Sequence, residues 1–148
     1  MDLETLRSIP IFDGIDDDGL DVIARLATDF TAPAGRVLAE VGQPGTGLFV
    51  IEEGTVEVDL PDGSAVELGP GEFFGEVEFF DGSPASAHAI AHSDCEILQI
   101  PHEDMRSLLK SHPQLAARFF WAFGRTLAKR LRETNQRMAS LLAISRSF

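Results

Sequence analysis

The residue types best suited to binding chemistry lie between residues 75 and 87. Gly75-Glu76 follows a turn and is predicted to open a short helix, so free backbone N–H groups and the positive end of the helix dipole would face an anion. The Glu76 carboxylate can accept a hydrogen bond from a ligand hydroxyl, and Ser86 can donate one to a phosphate oxygen. The segment therefore indicates a binding site for a small anionic ligand.

Catalytic and metal-binding patterns are not evident elsewhere. The sequence has no nucleophile elbow, Walker motif or zinc spacing, so we expect no enzyme activity. Its one cysteine, Cys95, excludes an intrachain disulfide and is expected to be a small buried hydrophobe. His88 and His92 would lie about 13 Å apart on one strand, too far to share a metal ion. Capping or solvation would explain His102, at a helix start, and His112, in a turn.

The composition is that of one ordinary globular domain. The chain has 148 residues, 44% of them hydrophobic and 24% charged, with a mean hydropathy of +0.03. No apolar run reaches about 18 residues, and the acidic start lacks the features of a secretory signal. We therefore expect a cytoplasmic protein with no membrane segment.

Charge is distributed unevenly along the chain. Residues 1–105 contain 23 acidic residues and three basic ones, whereas residues 106–148 contain nine basic residues and one acid, Glu133. The acidic part should repel nucleic-acid backbones. The basic part could attract them or fold back onto the acidic part.

Glycine spacing predicts a β-rich centre. Ten of the thirteen glycines fall between Gly35 and Gly82, and they separate short runs rich in Val, Ile and Phe. Strands are expected at 36–39, 48–52, 55–60, 65–68, 86–92 and 96–100, with a hairpin turn at 61–64. Four phenylalanines in this region are expected mostly in the core: Phe73, Phe74, Phe79 and Phe80. The expected fold is mainly β with flanking helices, a β-roll or jelly roll (double-stranded β-helix).

Helices are expected on either side of this centre. Three aspartates at 16–18 precede an apolar helical face, a second helix is predicted over 103–110, and a long one from Pro113 to about residue 144. We therefore divide the chain into a β-roll with N-terminal helices, residues 1–112, and a long basic C-terminal helix, residues 113–148.

The long helix carries an apolar seam with the 4-3 spacing of a coiled coil. Its positions are Phe120, Gly124, Leu127, Leu131, Thr134, Met138, Leu141 and Ser145. The seam predicts a homodimer formed through this helix. The alternative is that its first residues only cover the β core and the rest is solvated.

Three segments carry a resemblance to a known family. Residues 69–87, with Phe74-Gly75-Glu76 and Pro84-Ala85-Ser86-Ala87, resemble the phosphate-binding cassette of cyclic nucleotide-binding domains, and are called the cassette below. Residues 34–54 look like the first strands of that family. Residues 130–135 are similar to the dimer helix of bacterial catabolite activator proteins of the Crp/Fnr type. The resemblance covers about residues 9–146.

The resemblance implies a role for each matching residue. Gly75 and Glu76, with Val77 beside them, would hold the ribose of a cyclic nucleotide, cAMP or cGMP. Ser86 and the backbone of Ala87 would hold its phosphate. Two residues of the long helix, Thr134 and Asn135, match positions that reach the base. The resemblance implies no further cofactor.

The chain departs from the family at Ala85, where nucleotide-binding members have the arginine that neutralises the phosphate. Losing such a charge-assisted hydrogen bond costs about 1.5–3 kcal/mol. Arg130, one helical turn before Thr134, would face Glu76 and is the best candidate to compensate. The alternative is that Arg130 is a solvated or interhelical charge.

Three functions remain open. The chain could be a regulatory sensor with weak or altered nucleotide binding, or a dimeric interaction module that binds no ligand. It could also be the effector domain truncated from a DNA-binding transcription regulator, because related activators carry a helix-turn-helix module after this helix. DNA binding by this chain alone is not expected, and the sequence does not identify a protein partner.

Overall fold

The computed structural model describes residues 3–146 as two β-sheets with helices against one of them. The strands are β1 Thr28–Ala32, β2 Val37–Ala39, β3 Gly47–Glu53, β4 Val56–Asp59, β5 Ala65–Leu68, β6 Phe73–Phe74, β7 His88–Ala91 and β8 Cys95–Pro101. The helices are α1 Leu3–Arg7, α2 Asp17–Leu26, α3 Glu76–Asp81, α4 His102–Ser111 and α5 Pro113–Arg146. A 3-10 turn at Pro10–Phe12 joins α1 to α2.

Both sheets are four-stranded and antiparallel. The first sheet has the order β1-β8-β3-β6 and the second the order β2-β7-β4-β5. The predicted hairpin forms with Val56 opposite Leu68. Consecutive strands repeatedly change sheet, and this arrangement confirms the predicted mainly-β roll followed by a long C-terminal helix.

Two apolar clusters hold these layers together. One lies between the sheets and includes Phe49, Phe74 and Ile97. The other joins the first sheet to the helices. Phe73, Phe74 and Phe79 are buried and Phe80 is 47% exposed, so the four phenylalanines lie mostly in the core, as predicted.

The ends of the elements follow local chemistry. The Asp16 side chain accepts a hydrogen bond from the N–H of Gly19 at 2.9 Å and so caps α2. Pro113 begins α5, as predicted, and α4 extends one residue beyond each predicted end. The strand expected at 86–92 is shorter, so His92 lies just beyond β7 rather than on it.

The long helix α5 has two unlike parts. Its first three turns contribute four buried residues, Leu115, Phe119, Ala122 and Phe123. From residue 131 to residue 146 every side chain is exposed. Among residues 3–146, no helix is both long enough and apolar enough to cross a bilayer. The division of the chain at residue 112 stays a prediction.

Candidate functional site

A cavity of about 400 Å³ opens where the cassette meets the inner face of the second sheet. It is lined by the six cassette residues that the sequence singled out: Gly75, Glu76, Val77, Ala85, Ser86 and Ala87. Its apolar wall comes from the strands and includes Leu38, Phe49, Val58 and Phe74. The cavity is therefore an apolar pocket with a few polar groups at one end, the usual form of a small-molecule site.

Gly75 fixes the start of the cassette helix. It is the N-cap of α3 with φ of 91° and ψ of 6°, a left-handed conformation that favours glycine. A Cβ on this residue would lie 2.3 Å from the carbonyl oxygen of Gly47 on β3. The close approach seats the first turn of α3 against the first sheet, beside the cavity.

Glu76 is a largely buried carboxylate of the site, with 18% of its side chain exposed. Burial raises the pKa of Glu76, and its own backbone hydrogen bond and the Arg130 charge oppose that rise. Arg130 Nη1 lies 3.4 Å from Glu76 Oε1, and its guanidinium stacks over the Phe73 ring at 3.9 Å. The contact expected between these two residues therefore forms, and it links the cavity to α5.

Arg130 contacts Glu76 but is not among the residues that line the cavity. Its Nη2 also donates to the carbonyl oxygen of Phe73 at 3.3 Å. Compensation for the missing arginine by Arg130 stays a prediction.

The other end of the cassette is held by backbone contacts. Ala85 is buried; its N–H donates to the carbonyl of Gln43, and its own carbonyl accepts from Gly42, both at 2.9 Å. The N–H of Ser86 donates to Glu78 Oε1 at 3.3 Å. Glu78 also lines the cavity, a role that the sequence reading missed. A charged side chain in the middle of a six-residue helix beside Glu76 was the available signal.

His102 corrects a sequence interpretation. It neither caps a helix nor meets solvent: the ring is buried, and its Nε2–H donates to the carbonyl of Gly75 at 2.9 Å. Burial lowers the pKa of His102, which favours the neutral ring. No sequence signal joins two residues 27 positions apart, so only the folded chain reveals this anchor.

Arg106, one turn further along α4, holds the opposite end of α3. Its guanidinium donates to the carbonyl of Phe79 at 2.8 Å and to that of Glu78 at 3.1 Å. It also lies 5.3 Å from the centre of the Phe79 ring. The cassette helix is therefore fixed at both ends by α4.

Thr134 and Asn135 lie outside the cavity lining. The Thr134 hydroxyl donates to the carbonyl of Arg130 at 2.9 Å, and both side chains are exposed. The structure therefore does not bring them together with the cassette in a single chain, and their contact with a ligand base stays a prediction.

Cys95 and His88, which the sequence analysis also considered, make hydrogen bonds within the fold. Cys95 is buried, as predicted, with Sγ 3.1 Å from the carbonyl of Thr55. His88 Nδ1 accepts a hydrogen bond from the N–H of Val41 at 3.3 Å. Within residues 3–146, no three His, Cys, Asp or Glu side chains are grouped so that they could hold a metal ion.

The cyclic nucleotide-binding domain model matches residues 30–112 of the chain. A cyclic nucleotide-gated potassium channel of Mesorhizobium japonicum is 35% identical over 116 residues, which are 78% of this chain and 32% of the channel. A CRP-like cAMP-activated global transcriptional regulator of Mycobacterium tuberculosis is 27% identical over 144 residues, 94% of this chain and 62% of the regulator. The chain thus spans less than two thirds of these relatives.

Solved structures show the same fold. The N-terminal domain of a transcriptional regulator from Streptomyces coelicolor is 32% identical, with a TM-score of 0.68. The match covers 89% of this chain and 95% of that domain. The likeness therefore extends over most of the described chain.

Proposed function

Since the chain belongs to the cyclic nucleotide-binding domain family, we propose that it is a non-enzymatic regulatory sensor whose altered cassette binds cyclic nucleotides weakly. The observation that carries this proposal is the contrast between the two ends of the cavity. Glu76 is largely buried and paired with Arg130, whereas Ala85 presents a methyl group beside Ser86.

In the proposed binding mode, Glu76 accepts a hydrogen bond from a ribose hydroxyl. Gly75 places the first N–H groups of α3 beside the ligand, and Ser86 with the backbone of Ala87 faces the phosphate. The apolar wall of the second sheet encloses the sugar. Without an arginine at position 85 the phosphate charge has no guanidinium partner, so binding is weaker by about 1.5–3 kcal/mol, on the order of 10- to 150-fold.

Arg130 is the proposed link between ligand and output. A ligand hydroxyl bound to Glu76 would alter the ion pair between the Glu76 carboxylate and Arg130, and Arg130 belongs to α5. A shift of α5 would then reach a second copy of the chain across the apolar seam. Exposed seam residues support a homodimer: Leu131 is 61% exposed and Leu141 67% exposed.

The relatives suggest what such a module serves. The channel and the regulator are named for cyclic nucleotide gating and cAMP activation, so we propose that this module passes a ligand signal to a partner protein or attached domain. The free, buried cysteine fits a cytoplasmic location. We expect no DNA contact by this chain alone, because its acidic part opposes it and no recognition helix is among the described elements, residues 3–146.

A second candidate is a dimeric interaction module that binds no ligand. The bond between the Ser86 N–H and the Glu78 carboxylate favours it, because it places a negative charge beside the groups expected to hold the phosphate, the Ser86 hydroxyl and the Ala87 backbone. The seam on α5 would then be the principal functional surface.

Calorimetric titration with cAMP and cGMP at millimolar concentration tests the sensor proposal. Ala85→Arg should tighten cAMP binding by about 10- to 150-fold, because the planar fork of arginine matches two phosphate oxygens. Ala85→Lys should do less. Ala65→Arg, on an exposed position of β5, is the matched control and should have no effect.

Two results would count against the sensor. If folded Ala85→Arg changes cAMP affinity less than threefold, both alone and combined with Glu78→Ala, the module without a nucleotide ligand is favoured. Arg130→Ala should weaken the residual binding if Arg130 compensates for the missing arginine, and leave it unchanged if Arg130 only pairs with Glu76.

A further inference from the structure

Glu78 occupies an unusual position in the cavity. It lies on α3 two residues after Glu76, and both residues line the same pocket. Its carboxylate accepts the Ser86 N–H at 3.3 Å. A Cβ at Gly45 would lie 2.7 Å from the Cβ of Glu78, so this glycine lets the opposite loop pass close to α3 at that residue.

The cavity lining is acidic. Its described lining contains three glutamates, Glu40, Glu76 and Glu78, and no lysine, arginine or histidine among residues 3–146. Arg130 neutralises one of them from behind. An arriving phosphate would meet the Glu78 carboxylate on the Ser86 N–H, next to its expected donors, and a second acid nearby. Like charges in a partly buried site repel strongly.

We propose that Glu78 is an internal substitute for the ligand phosphate, and that the cavity consequently selects an uncharged ligand carrying hydroxyl groups over an anionic one. The inference rests on the proposed function, which assigns the Ser86 end of the cassette to the phosphate. Glu76 stays available to accept a sugar hydroxyl, and the apolar wall stays available to a ring. A nucleoside has this chemistry, and adenosine is the probe that matches cAMP without its phosphate.

On this proposal, the absence of an arginine at position 85 and the presence of Glu78 act together to replace the ligand phosphate. An arginine at position 85 would give the Glu78 carboxylate an ion-pair partner, and a small side chain at position 78 would free the Ser86 N–H. With both differences present, the carboxylate supplies the acceptor that the phosphate would supply. The two positions should therefore be energetically coupled.

The test is calorimetric titration of cAMP and adenosine into the full chain and four variants. Glu78→Ala should tighten cAMP binding at least tenfold. Glu78→Gln, which keeps an acceptor but removes the charge, should tighten it by a smaller factor. Adenosine should bind the parent chain more tightly than cAMP does and change less than threefold in either variant. Glu67→Gln, an exposed acid on β5 outside the cavity, is the charge-matched control and should leave both affinities unchanged.

The fourth variant, Glu78→Ala with Ala85→Arg, separates the two proposals. It should gain more cAMP affinity than the product of the single gains, because the new guanidinium no longer pairs with Glu78. If Ala85→Arg alone tightens cAMP binding but Glu78→Ala changes it less than threefold, the substitute role is wrong and the sensor proposal stands. If the folded double variant binds cAMP no better than the parent, both proposals fail. Adenosine binding no tighter than cAMP would overturn the selection for an uncharged ligand.

Discussion

The two parts of α5 have the same backbone conformation but opposite surroundings. In the first part Phe119 is 0% exposed, and it packs with Phe12, Phe79 and Phe123. In the second part Leu131 and Leu141 are largely exposed. The helix therefore buries side chains against the body only in its first three turns.

Arg130 marks the boundary between the two parts. It is the last α5 residue that is not fully exposed, and its partners Phe73 and Glu76 belong to the cassette. The site therefore contacts α5 where the buried part of the helix ends. A displacement at Glu76 thus acts at the base of the exposed part rather than in the middle of a packed helix.

The largest effect is expected in the packed part. Phe119→Ala should lower the free energy of unfolding by about 3–5 kcal/mol, because it leaves a cavity in the cluster that joins the helices to the first sheet. Urea denaturation measures this loss. Trp121→Ala, at a position that is 71% exposed, should cost less than about 1 kcal/mol. Equal losses would show that the two environments do not differ as described.

In the exposed part of α5, residues 131–146, the expected effect is on association of two chains. Leu131→Asp with Leu141→Asp should raise the dimer dissociation constant by about 100-fold, near 2.7 kcal/mol, because charges would face each other across the seam. Sedimentation at micromolar concentration measures it. Gln136→Asp with Ala143→Asp, outside the seam, is the matched control. A parent chain that stays monomeric at tens of micromolar would refute the coiled-coil interpretation.

At the boundary, Arg130→Gln should cost about 1–2 kcal/mol of stability, because a half-buried ion pair and a stacked guanidinium are lost. The same change should raise the pKa of Glu76 further, which NMR titration of that carboxyl can follow. Arg132→Gln, an exposed neighbour, should change stability by less than about 0.5 kcal/mol. An unshifted Glu76 pKa would contradict the coupling.

The smallest effect concerns the acidic body. Burial, a hydrogen bond to Asp29 and the charges of Asp29, Glu96 and Glu53 raise the pKa of Glu52 from 4.5 to about 7. The folded state therefore holds a proton that the unfolded chain releases, so the free energy of unfolding should fall as pH rises from 4.5 to 7. Glu52→Gln should gain about 1 kcal/mol above pH 7, after solvent screening, and the gain should vanish towards pH 4.5. Thermal melts at both pH values check this.

The sequence predicted much of the fold, and its failures have a common cause. Strand β5 was placed at its observed bounds and α5 at its observed start, because alternation and proline are local signals. The two strands that were missed, Thr28–Ala32 and Phe73–Phe74, are the edges of the first sheet. Thr28–Ala32 is mostly polar and Phe73–Phe74 has only two residues, so neither shows a clear alternating pattern.

For the site, the sequence identified the cassette but not what holds it. The residues from Gly75 to Ala87 form a continuous segment, and their types indicated binding without any structure. His102 and Arg106 act through side chains that reach the cassette from α4, and such contacts leave no spacing pattern. The bond between Glu78 and the Ser86 N–H depends on how the loop after α3 turns back, which is a tertiary property.

The anchoring of α3 by His102 and Arg106 also sets its time scale of motion. A six-residue helix has no stability of its own in water, so its amides would exchange with solvent within moments if it were free. Because α4 holds the Gly75 carbonyl at one end and the Phe79 carbonyl at the other, we expect α3 to open mainly together with α4. Its hydrogen-exchange protection should match that of α4, and the two helices should behave as one cooperative unit.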